Sequence, residues 1–98
     1  MTSTSRAVVE TDIAAENTFG TGLLVAKGSR TAISISGAAT ATVYLQRQLD
    51  GANWRDVQSW TADIEATYVA DTGCMLRLGV KTGGYGSGTA KCRIQTDY

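Results

Sequence analysis

"TVYLQRQLDGANWRDVQSW", Thr42 to Trp60, holds two alternating runs on either side of a short polar break. In the first run Val43, Leu45 and Leu49 fall on one side and Tyr44, Gln46 and Gln48 on the other, with Arg47 the odd member of the apolar side. Successive side chains of a strand point to opposite faces, so this period of two predicts a strand with one buried face. Arg47 fits there if its apolar stem lies along the core edge and its head stays in water. The Asp50–Gly51 pair, extended by Ala52 and Asn53, favours a tight reversal. The stretch reads as a β-hairpin. On its second strand Trp54 and Trp60 share a side if the strand is regular, and Val57 lies opposite them. A bulge is expected if Val57 and either tryptophan both join the core. Because a Trp buries about 150–250 Å², at least one of the two should be a principal core anchor.

The same alternation recurs on both sides of the hairpin. In "CMLRLGVKT", Cys74, Leu76, Leu78 and Val80 share one face against Met75, Arg77, Gly79 and Lys81. "TAKCRIQT" sets Ala90, Cys92 and Ile94 against Lys91, Arg93 and Gln95, and "RTAISISG" sets Thr31, Ile33 and Ile35 against Ala32, Ser34 and Ser36. "IEATYVAD" aligns Ile64, Ala66, Tyr68 and Ala70, while "RAVVETDIAA" aligns Ala7, Val9, Thr11 and Ile13. "GLLVAKG" reads as a short buried strand and "TDIAAEN" as a strand end. "GGYGSG", Gly83 to Gly88, reads as a hairpin loop with positive φ angles. About eight short strands at roughly 8–12-residue spacing predict an all-β chain. The expected fold is a single small antiparallel β-sandwich, Ig-like or jelly-roll-like, over residues 7–98 with a flexible N-terminal arm over 1–6. Val43, Leu45, Leu76, Leu78, Val80 and Ile94 should be buried, Leu78 near the middle.

A chain of 98 residues supports one core, burying roughly 60–68% of its extended surface. Nine basic and nine acidic residues cancel, so the basic stripe of a nucleic-acid binder is absent and no nucleic-acid partner is expected. A neutral surface does little to discourage association and favours life inside an assembly. No apolar stretch reaches the roughly 20 residues that span a bilayer, so no membrane partner is expected. "MTSTSRAVVETD" shows no apolar signal region. Synthesis in a cytoplasm follows as the default, and Cys74 and Cys92 read as reduced core thiols. A hairpin centred near Gly84 or Tyr85 would set Cys74 across from about Gln95, too far from Cys92 to bridge.

Chemistry is sparse. With no histidine, the commonest general base and metal ligand is missing. Cys74 and Cys92 lack the partners of a zinc site. Asp50, Asp56, Asp63, Glu65 and Asp71 are scattered and read as solvated turn residues rather than a catalytic pair or a calcium loop. "GGYGSG" lacks the lysine-serine pair and strand-to-helix setting of a phosphate loop. No catalytic residue and no cofactor is assigned.

A strand carrying Val43, Leu45, Gln46 and Arg47, then Asp50–Gly51, then Trp54 and Asp56–Val57, resembles small β-sandwich virion proteins of tailed bacteriophages. "YVADTGCMLRLGVKTGGYGSGT", Tyr68 to Thr89, is similar to the way such chains finish. The resemblance covers about Val43 to Ile94. It implies no enzyme. Among virion roles it points to a capsid decoration (cement) protein, made in the host bacterial cytoplasm and placed on the capsid surface. Its implied partners are the major capsid protein and, at local threefold sites, other copies as a trimer. The expected contact residues are Thr2, Ser3, Thr4, Ser5 and Arg6 of the arm, with Asp50, Asn53 and Tyr85 of one sandwich-end loop set, Tyr85 facing outward. A tail, neck or fibre component is one alternative. A carbohydrate-binding module stacking sugars on Trp54, Tyr85 or Tyr98 is another.

Overall fold

The computed structural model describes residues 6–49 and 51–97, so the expectations on Thr2, Ser3, Thr4, Ser5, Asp50 and Tyr98 lie outside the described residues. Among those described the strands are β1 (Arg6–Ile13), β2 (Thr18–Phe19), β3 (Leu23–Val25), β4 (Arg30–Ser36), β5 (Thr40–Ala41), β6 (Val43–Gln48), β7 (Trp54–Trp60), β8 (Ile64–Val69), β9 (Cys74–Val80), β10 (Tyr85–Ser87) and β11 (Ala90–Asp97). The expected count of about eight becomes eleven for two local reasons. β2 and β3 are one broken strand along β9, joined by the hydrogen bond from Gly20 N to Leu78 O at 2.8 Å. β5 and β10 form a small extra ladder of their own.

Two antiparallel sheets make the sandwich. The first runs β1-β11-β4-β8, and the second runs β2-β9-β6-β7 with β3 also on β9. The pairings nest: β1 with β11, β2 and β3 with β9, β4 with β8, β6 with β7. The chain is thus one long folded hairpin, rolled so that β11 also meets β4 and β9 also meets β6. That is the jelly-roll order, which decides between the two sandwiches expected.

The alternation is realised where it was clearest. Val43, Leu45, Leu76, Leu78, Val80 and Ile94 are all at most 2% exposed, and each such burial stabilises by about 1.5–3 kcal/mol. Ile33, Ile35, Cys74, Cys92 and Ala90 close the same core. Leu49 departs from expectation at 57% exposed, because β6 stops at Gln48 and the pleat no longer directs the next side chain inward. In β7 the register steps from Leu45–Gln58 to Gln46–Asp56. Val57 is the extra residue, and it packs on the core together with Trp60.

"GGYGSG" is not a hairpin loop. β9 and β11 belong to different sheets, and residues 81–89 cross between them while β10 pairs β5. Glycines report backbone freedom, not which strand the chain joins next. Cys74 pairs Val25 and Cys92 lies between Thr11 and Ile35. The thiols are free and buried, held in separate sheets rather than offset along one hairpin.

Candidate functional site

The nested topology sorts the loops onto two ends. β6 and β9 run antiparallel, Tyr44 opposite Gly79 and Gln48 opposite Met75. The loop after β6 (49–53) therefore sits at one end and the crossover after β9 (81–89) at the other. β1 begins at Arg6 opposite Asp97, the last residue of β11, which places the start of β1 at the 49–53 end. Arg6 opens the edge strand β1 of the first sheet at that end, and exposed Asn53 precedes the edge strand β7 of the second; Tyr85 lies at the other end. Its ring is half-buried against the core, and its hydroxyl donates to Gly88 O at 2.8 Å. The single loop set expected to hold Asn53 and an outward Tyr85 is thus divided between opposite ends.

The two ends differ in the apolar side chains they expose. At the far end Gly83 N donates to Glu16 Oε2 at 2.7 Å and Thr42 N to Gly84 O at 2.8 Å. Asp63 accepts from Ala38 N at 3.1 and 3.3 Å, holding a non-glycine residue at φ 53°, a conformation that costs about 1–2 kcal/mol. These contacts close that end on itself, as Gly28 N donating to Ala70 O at 2.7 Å and Ala70 N to Ser29 O at 3.2 Å close part of the near end. At the near end Arg47 behaves as its alternation implied. From the core face of β6 it reaches the Tyr68 hydroxyl and Asp71 Oδ1, both at 3.3 Å. Leu49, two residues on from Arg47, is 57% exposed, and Val69, on the outward side of β8, is 55% exposed.

The outer face of the second sheet carries a second cluster, built from four strands. Arg77 of β9 lies 4.1 Å from the Phe19 ring centroid and 4.2 Å from that of Trp54. Its Nε donates to Gln46 Oε1 at 2.8 Å, and Gln46 Nε2 donates to Asp56 Oδ1 at 2.9 Å. Lys81 pairs with Asp56 Oδ2 and sits 4.5 Å from the Tyr44 centroid. Gly79 makes room for this face, since a Cβ there would run into the Phe19 ring. Burial pushes the Arg77 pKa down. The Lys81 hydrogen bond, then that of Gln46, pulls Asp56 below the ordinary carboxylate range, and the same contact raises Lys81.

Sequence reasoning passed over Phe19, Gln46, Asp56, Arg77 and Lys81. It read Asp56 as a solvated turn residue, whereas it lies within β7 and binds two side chains. The available signal was the outward set itself, Met75, Arg77, Gly79 and Lys81, facing away from the core beside Tyr44, Gln46 and Gln48. Among the described residues no group of three or more acidic or cysteine side chains converges as a metal site, and no helix is long and apolar enough to cross a membrane. No family model matches the chain, and neither a curated protein nor a solved structure is significantly similar to it.

Proposed function

We propose that this chain is a structural protein of a tailed-phage virion, a capsid decoration protein that binds the outside of the assembled head and stabilises it. The observation that carries the reading is the asymmetry of the two ends. Both ends are closed by hydrogen bonds of their own, and they differ in the apolar side chains they leave exposed. The near end holds the first residue of β1, the 49–53 loop and the exposed Leu49 and Val69. A neutral domain without charge steering takes its affinity from shape and buried area, and the near end offers both. Arg6 opens β1 at this end, and the reading assigns Thr2 to Ser5 the contact with a neighbouring capsid subunit. Many weak identical contacts then add up on a lattice, with monomers or trimers at local threefold sites.

Jelly rolls serve both capsid and lectin domains. On the virion side of that choice stands Trp54, one face of which is taken up by Arg77 and is not free to stack on a sugar. Cosedimentation with empty expanded heads tests the reading. The full chain should pellet with heads and not with isolated capsid subunits, and a chain lacking Met1 to Ser5 should pellet less while melting at the same temperature. Copurification with tails instead of heads would overturn it.

A further inference from the structure

We propose that Arg77 is a binding site for an aspartate or glutamate side chain presented by a partner protein, on the outer face of the second sheet. The inference is independent of the virion reading, since it concerns a different surface. The guanidinium carbon lies 4.1 Å from the Phe19 ring centroid and 4.2 Å from that of Trp54, and its Nε is committed to Gln46. What remains is the Nη edge. Among the described residues no carboxylate lies within ion-pair distance of it, while its neighbour Lys81 is neutralised by Asp56. With two aromatic rings against the guanidinium and its Nε engaged, an anion meets the Nη groups, whose N–H bonds lie in the guanidinium plane and can give paired N–H···O bonds to a carboxylate.

The plane is set before any ligand arrives. Gln46 is 5% exposed, and its amide fits one way only, oxygen toward Arg77 and nitrogen toward Asp56. Asp56 is fixed in turn by Lys81. Such preorganisation lowers the ordering cost of binding. A half-buried cation without a counter-ion is also an incomplete arrangement, consistent with the downward push on its pKa, and a partner's carboxylate completes it. Charge decides the class of anion. The network leaves one positive charge uncompensated, which matches a carboxylate; a nucleic-acid backbone would call for a row of them. Two residues before Arg77 along β9, Met75 is paired with Leu24, which is 63% exposed, an apolar flank on one side for a residue next to the acidic one.

The test uses the full chain, isotopically labelled, with the Arg77 Nε–H and Trp54 indole N–H resonances followed by NMR. The probes are acetyl-Leu-Glu-Leu-amide, its Gln counterpart and inorganic phosphate. The Glu peptide should shift both resonances saturably, and the Gln peptide should bind at least about tenfold more weakly. Arg77→Lys keeps the charge, loses the fork and should weaken binding. Gln46→Glu supplies an internal counter-ion and should abolish it, so the two variants fail for different reasons. Equal binding of the Glu and Gln peptides, phosphate binding as tightly as the Glu peptide, or shifts confined to other residues would each overturn the proposal.

Discussion

Trp54 and Trp60 stand on opposite faces of one strand although they are six residues apart. Trp54 is paired with Gln48 and stacked on Arg77 outside the sheet, whereas Trp60 is paired with Val43 and packs on the core. Val57 causes the inversion: as the extra residue opposite β6, it shifts the alternation by one.

Deleting Val57 should therefore cost more than shortening it. Val57→Ala removes part of a half-buried side chain and should cost about 1 kcal/mol. The deletion returns both tryptophans to one face and must pull Trp60 from the core or Trp54 from Arg77. That should cost about 3 kcal/mol or more, as large core losses do. Denaturant melts of the two variants separate the cases, and equal losses would contradict the bulge.

Two leucines of opposite burial make a second comparison. Leu78→Ala, at a site 2% exposed, should cost about 2–5 kcal/mol. Leu49→Ala, at 57% exposed, should stay within about 0.5 kcal/mol. Thermal melts showing the reverse order would contradict the strand phase.

How much of this was legible follows from which information is local. Thr31, Ile33 and Ile35, and likewise Cys74 to Val80, declare their inward face by alternation, because the period of two is a property of the strand alone. The Val57 bulge was legible for the same reason. Pairing is not local. Gly83 to Gly88 shows a chain able to turn, yet β9 turns out of one sheet and β11 enters the other. The Arg77–Gln46–Asp56 cluster joins three strands through a register that no short window contains.

Asp56 should leave a mark on acid stability. Its pKa lies below the ordinary 3.8 because of the hydrogen bonds from Lys81 and then Gln46. A carboxylate with a depressed folded pKa stabilises the fold above its unfolded value and loses that contribution as pH falls through the folded one. The side chain is 41% exposed, so screening holds the effect below about 1 kcal/mol. Melting curves below pH 4 should be flatter for Asp56→Asn than for the parent. Matching slopes would contradict the network.

The thiols should be inert in the folded protein. Burial pushes Cys92 up to about 11 and raises Cys74 as well, so little reactive thiolate is present near pH 8. Iodoacetamide should label neither until denaturant is added. An intact mass about 2 Da below the reduced value, one disulfide's worth of hydrogen, would contradict their separation in different sheets.

The most direct test of the capsid reading compares the two ends. A charge placed at the near end, Leu49→Asp or Val69→Asp, should sharply lower occupancy on expanded heads while leaving the melt nearly unchanged, since both side chains are exposed. A charge at the far end, Thr82→Asp, also exposed, should leave occupancy as it was. Head occupancy read by cosedimentation for these variants should fall only for the near-end pair; full occupancy by Leu49→Asp and Val69→Asp, with loss only for Thr82→Asp, would contradict the account.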